Sequence, residues 1–288
     1  MVFRFRPDAD LVEHVPKTRR IMPLMMPTRN ESVVYFDMDI DADGIDARIA
    51  DLRVQGVQAS VMHIVAVAAT RVLTERPRLN RFVAGGRHWQ RRGIWLSFSG
   101  KKRKEASAPI SVIKRELKGD ATDLEIVQAL DGGVREVRSE QKNRTDKELD
   151  LLFMMPTFLL GWLVGLVRKL DHWGMLPRWY VDGDPMFASI FVANLGSLGM
   201  DAAVHHLYEY GNIPLFCVIG KKKDAFYVDD AGVVRARSVY PLRFSFDERI
   251  EDGFYCLGAL ERLRELLSSP SSSPSSSLSA TTPATTTV

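Results

Sequence analysis

The sequence predicts one α/β domain, a sheet with helices packed against it, and three observations carry that prediction. Runs rich in β-branched and aromatic residues alternate along the chain with helical patterns. One helical stretch, residues 61–76, is apolar or small on most faces, which marks a helix of the core. The 288 residues, 45% hydrophobic and 26% charged, are ample for a sizeable core.

The elements follow in order. Residues 32–40 (SVVYFDMDI) predict a strand. Asp43 is placed as the cap of a short helix over 44–53, and Ser60 as the cap of the core helix, which Pro77 stops. Strand-like runs at 81–83, 94–99 and 109–116 are broken by Gly85-Gly86 and Gly100. Asp123 opens a helix to about Asn143, weakened by Gly132-Gly133. Residues 187–195 (FASIFVANL) and 215–220 predict buried strands. Residues 226–228 and 233–237 form a hairpin across Asp230-Ala231-Gly232. A strand over 239–246 and an amphipathic helix over 252–267 close the domain. The tail 268–288 is almost wholly Ser, Thr, Pro and Ala, so it predicts disorder.

Composition narrows the function. The formal net charge is +3, and the basic runs Arg91-Arg92, 101–104 and 221–223 are short and scattered, so they read as solvated turns and strand ends rather than a nucleic-acid surface. Contact with a phosphate-bearing cofactor stays open for them. Cys217 and Cys256 lie in apolar stretches without CxxC partners, as buried reduced thiols of a cytoplasmic protein would. The early charges of the N-terminus do not fit a secretory signal. No Cys/His spacing matches a metal site, and neither a Gly-rich phosphate loop nor a G-x-S-x-G elbow is present.

Three segments then carry a family resemblance. The run S-F-D-E-R-I-E-D-G, from Ser245 to Gly253, resembles the S-F-D-H-R-x-x-D-G motif of the 2-oxo acid dehydrogenase acyltransferases. The related chloramphenicol acetyltransferases carry H-x-x-x-D-G there. A-N-L-G-S-L-G, from Ala193 to Gly199, is similar to that family's S-N-L-G-x-x-G, and Pro77-Arg78-Leu79-Asn80 to its P-x-L-N. The resemblance spans residues 19–267. It implies a two-layer chloramphenicol acetyltransferase-like α/β fold with a mixed sheet, assembled as a homotrimer. Active sites would lie at subunit boundaries, with coenzyme A or acyl-CoA entering from one side and a small acyl acceptor from the other. Residues 1–18 would be an extension too short for a lipoyl or subunit-binding domain, so no lipoyl attachment site is expected.

The resemblance also shows what is missing. The family's histidine takes the acceptor's proton, and its S-N-L-G serine donates to the tetrahedral oxyanion. Here those places hold Glu248 and Ala193. Loss of one oxyanion donor typically costs about 2.7–4 kcal/mol. A free glutamate, near pKa 4.3, is about four units too weak a base for a thiol near 8.5. Enclosure by Phe244, Phe246 and Phe254 would strengthen Glu248 as a base; pairing with Arg249 or a neighbouring subunit's arginine is the favoured alternative. The catalytic candidates are therefore Glu248 and Asp252, the latter expected to hold the loop by an ion pair. Asn194, Gly196 and Ser197 are the cofactor-binding candidates, with an architectural role as the bland reading. Among the histidines, His205 and His206 are read as surface or interface residues and His63 as a hydrogen-bonded core residue.

One segment departs from the family. Residues 151–167 (LLFMMPTFLLGWLVGLV) carry no charge and sit in an insertion over about 148–185. A subunit-contact helix or a lid is favoured over a membrane-surface anchor, because a soluble domain follows directly. Two function classes remain: an atypical CoA-dependent acyltransferase, and a non-catalytic trimer serving as scaffold or CoA-thioester-binding regulator.

Overall fold

The computed structural model describes residues 6–101, 110–138 and 155–269. The tail beyond residue 269, the end of the helix predicted to reach 143, residues 102–104 of one basic run and residues 151–154 of the apolar run lie outside them.

The main sheet is mixed and runs β2 (Val33–Asp41), β10 (Val234–Asp247), β8 (Leu215–Ile219), β7 (Ile190–Asn194), β5 (Ile94–Lys101), β6 (Ile110–Leu117). The pairs β5–β7 and β7–β8 are parallel; β10–β2, β10–β8 and β5–β6 are antiparallel. β9 (Lys223–Val228) pairs with the first part of β10, so the predicted hairpin and the predicted strand at 239–246 are one continuous strand. A second, three-stranded sheet is ordered β1 (Ala9–Leu11), β4 (Arg87–Arg91), β3 (Arg81–Ala84).

Strand alternation divides the main sheet's residues between two faces. Phe98, Val192, Cys217, Ile219, Leu242 and Phe246 join the large core with helices α2 (Ala42–Val54), α3 (Val61–Glu75), α4 (Asp123–Arg138) and α7 (Gly253–Ser268). Phe191, Phe216 and Val218 point the other way, into a smaller cluster closed by Leu207 and Ile213. Helix α3 is the centre of the helical layer, as its small apolar faces foretold. Ser60 and His63 close its first turn reciprocally: His63 Nδ1 lies 2.8 Å from the Ser60 hydroxyl and accepts from the Ser60 N–H at 3.1 Å.

Some local expectations are corrected. The cap of α2 is Asp41, whose carboxylate accepts from the Asp43 N–H, so the helix starts earlier than the glycine-led reading placed it. Strand β4 (RHWQR) reads as polar, yet His88, Trp89 and Arg91 are buried, each with a hydrogen-bond partner. Arg91 is thus no solvated strand end: it bonds Asn212 and faces Asp8. Helix α1 (Lys17–Met25) was not foreseen. The apolar run lies partly in α5 (Thr157–Trp173), which buries none of its residues and ends at Gly174 in the left-handed conformation. A short helix, α6 (Arg178–Gly183), follows. Among the described residues no helix is long and apolar enough to cross a membrane.

Candidate active site

The motif loop after β10 is built around a buried ion pair. Arg249 donates to both carboxylate oxygens of Asp247 at 2.8 Å, with both side chains almost fully shielded. Asp247 also accepts from the Ser32 hydroxyl at 3.0 Å, and Arg249 donates on to the carbonyls of Met26 and Pro27. Every polar atom of the pair is thereby engaged with a partner, the condition under which a buried ion pair is tolerated. His88 donates from Nε2 to the Arg249 carbonyl at 2.8 Å, and burial pushes this imidazole below its ordinary pKa, so it sits neutral beneath the loop. Buried Glu251 faces Arg81 and Arg78 at 3.4 and 3.6 Å.

Glu248 sits on this clamped loop. Its N–H donates to the Ser32 carbonyl at 2.9 Å, and its own carbonyl accepts from Arg19. The half-buried Glu248 side chain has no hydrogen-bond or ion-pair partner among the described residues. Pairing with Arg249 is excluded, because Asp247 holds that guanidinium. The apolar enclosure does not form within the chain either: Phe254 is 87% exposed, and Phe244 and Phe246 belong to the helix-side core.

Asp252 does something other than expected. It is exposed, forms no ion pair among the described residues, and caps α7 by accepting from the Tyr255 N–H at 2.8 Å. The loop-holding ion pair is Asp247–Arg249 instead.

The second motif forms the end of β7 and a 3-10 turn, Leu195–Leu198. Asn194 caps it by accepting from the Ser197 N–H at 3.1 Å, while the Ser197 hydroxyl donates back to the Asn194 carbonyl at 2.8 Å. A Cβ on Gly196 would meet the Gly220 carbonyl at 2.4 Å, so only glycine lets this turn rest against the end of β8. Ala193 lies on the sheet face away from the large core.

Strand register fixes how far the motifs lie apart. Ala193 pairs with Val218, and Val218 with Arg243, so these three form one row across the sheet. Glu248 follows Arg243 by five residues, roughly 16 Å along a strand at about 3.3 Å per residue. One chain does not bring the two positions to a common reacting atom.

The other candidates are accounted for. His205 is half-buried, stacks on Phe216 at 4.1 Å between ring centroids, and has its pKa lowered by burial; His206 is exposed. His63 is buried, with Nε2 3.4 Å from an Asp131 carboxylate oxygen. Lys221, Lys222 and Lys223 face Asp201, Asp46 and Asp39. Burial raises both thiols, Cys256 to about 11, which keeps them protonated. No group of three or more His, Cys, Asp or Glu side chains among the described residues is arranged to hold a metal ion. Two groups, one half-buried and one buried, escaped the sequence reading because nothing local marks them. Lys114, lowered to about 8 by burial, lies over the Trp95 ring and donates to the Val181 carbonyl at 2.7 Å. His88 sits in a strand that looks polar.

No protein-family model and no curated protein matches the chain. Solved structures do. A probable dihydrolipoamide acetyltransferase from Listeria monocytogenes superposes with a TM-score of 0.60 at 14% identity, covering 92% of this chain and 98% of that one. The dihydrolipoamide acetyltransferase of Azotobacter vinelandii, solved to examine a serine, a histidine and an asparagine in its catalytic mechanism, gives 0.57 at 16%, covering 90% and 92%. A chloramphenicol acetyltransferase gives 0.55 at 10%, covering 90% and 99%. The chain has the fold of these acyltransferase cores, as the three motifs implied.

Proposed function

We propose that this acyltransferase-like scaffold is a CoA-dependent acyltransferase with altered catalytic residues, working as a trimer whose active sites lie between subunits. One observation carries the reading. In a loop where Asp247, Arg249 and Glu251 are all paired, the Glu248 carboxylate alone is left without a partner among the described residues, at the place where the resembling family has its general base. The histidine and asparagine studied in the Azotobacter enzyme are four residues apart, the spacing of Glu248 and Asp252. The register separation of Glu248 from Ala193 supports a site completed by a second subunit.

In this mechanism Glu248 takes the proton of the acceptor's thiol, amine or hydroxyl as the acceptor attacks the thioester carbonyl. The tetrahedral intermediate collapses with loss of the CoA thiolate, which recovers the proton from Glu248. The turn of Asn194, Gly196 and Ser197 is the proposed contact for coenzyme A, and α5 the proposed subunit contact or lid.

A second reading, a non-catalytic trimer that binds CoA thioesters, is favoured by Ala193. Its methyl group offers no hydrogen bond to an oxyanion, and the Ser197 hydroxyl is committed to Asn194. The two readings separate in one experiment: calorimetric binding of acetyl-CoA together with acyl transfer to dihydrolipoamide by wild type and Ala193→Ser. A true acyltransferase turns over, and restoring the donor raises kcat by about a hundredfold or more. Binding without turnover in either protein assigns the non-catalytic role.

A further inference from the structure

Among the described residues Arg29 is a buried cation without a counter-ion. Four other arginines among them are buried, and each faces a carboxylate: Arg6 with Asp8 and Asp171, Arg48 with Asp123, Arg91 with Asp8, and Arg249 with Asp247. Arg29, 6% exposed, forms no ion pair with any described residue. Its Nη1 donates to the carbonyls of Tyr208 and Glu209 at 3.1 Å, while its Nε is shielded and has no partner. The carboxylates that act on it are committed elsewhere: Asp247 to Arg249, Asp171 to Arg6, and Glu209 to Asn30. A buried charge left in this state is costly, and a charge-assisted hydrogen bond from the guanidinium to a carboxylate in the cavity would offset it.

Arg29 lines a cavity of about 430 Å³, within the range of small-molecule sites. The cavity lies between the core and α5, the helix of the insertion. Apolar walls come from Leu24, Val83, Val167 and Phe187, and Arg168 of α5 adds a second cation with no partner among the described residues. The roof is fixed in place. Arg6 bonds both the carbonyl and the carboxylate of Asp171, and Gly85, at φ +59°, sits so near the His172 carbonyl that a Cβ would lie 2.3 Å from it. Asp171 and Glu209 also line the cavity, which disfavours a dianion and leaves room for one negative charge.

We propose that this cavity binds a small monocarboxylate with a short apolar body, its carboxylate on Arg29 and its chain against Leu24, Val83 and Phe187. The proposal is independent of the acyltransferase reading. Calorimetry on the whole 288-residue chain tests it, with hexanoate as probe, hexanol as the neutral analogue and inorganic phosphate as the more highly charged anion. Hexanoate should bind one per chain and at least about tenfold more tightly than either control, the difference one charge-assisted contact supplies. Arg29→Lys, which keeps the charge but loses the planar fork, should weaken hexanoate by about tenfold. If that variant does not fold, Arg168→Glu at the exposed side of the cavity carries the test and should weaken hexanoate by about fivefold. Hexanoate binding no tighter than hexanol, or unchanged in Arg168→Glu, overturns the proposal.

Discussion

The motif loop from Asp247 to Asp252 and the insertion helix α5 meet in the same part of the molecule, and they are held in opposite ways. The loop is nearly all buried polar contact: Asp247 with Arg249 and Ser32, His88 beneath the Arg249 carbonyl, Glu251 with Arg81. Helix α5 is mostly apolar yet fully buries none of its residues, with Phe158 and Trp162 at 78% and 63% exposure. It is held by Arg6 on Asp171 and by Val167 and Leu170 against the cluster of Leu176, Val181 and Phe187. The buried polar frame of the loop is therefore supplied by one chain, whereas α5 presents a face left uncovered among the described residues. That contrast teaches that one region of this fold is held by buried charge while the other leaves large apolar side chains in solvent, as the proposed subunit contact or lid requires.

The contrast can be broken at several points. Asp247→Ala leaves Arg249 buried and unpaired and should cost about 3–5 kcal/mol; urea denaturation would show it as a large drop in midpoint, and a change below about 1 kcal/mol would deny the loop its buried keystone. Next in size is a pH effect. The folded protein keeps His88 neutral to lower pH than the unfolded chain does, so acid favours unfolding. This contribution is full above about pH 6.5 and is lost as pH falls below it, at up to about 1.4 kcal/mol per pH unit for each such proton. His63 and His205 act in the same direction. Urea midpoints between pH 7.5 and 5.5 should therefore fall less steeply in His88→Gln than in wild type. Asp252→Ala removes the α7 cap and should cost about 1 kcal/mol, with no change in helix content by circular dichroism. Smallest of all, Trp162→Ser should change protomer stability by no more than about 0.5 kcal/mol, while sedimentation of the same variant should show weaker self-association if α5 makes the proposed subunit contact. A stability loss as large as that of Asp247→Ala would place α5 in the protomer's core after all.

Much of this was legible in the sequence where a residue's role is local or repeated. The alternation in β2, the small apolar faces of α3 and the order of the three motifs placed the sheet, its helical layer and the fold. What stayed hidden depends on distant partners. RHWQR reads as polar because His88 and Arg91 meet Arg249 and Asn212 only after folding, more than a hundred residues along the chain. Asp252 carried a family expectation of an ion pair, but its position at the start of α7 makes it a cap. Arg29 looks like any surface arginine in M-P-T-R-N-E; only the packing of the 208–211 segment and α5 around it shows a buried charge facing a cavity. Glu248 was visible as a substitution, but its freedom from Arg249 was not.

The central claim is that Glu248 is the working base of an acyl transfer. It is tested most directly by measuring acetyl transfer from acetyl-CoA to dihydrolipoamide in wild type and Glu248→Gln, with acetyl-CoA affinity measured in parallel. The account predicts that the variant binds acetyl-CoA as wild type does and loses turnover by about a hundredfold or more, the scale of a lost general base. Equal turnover in the two proteins would contradict it.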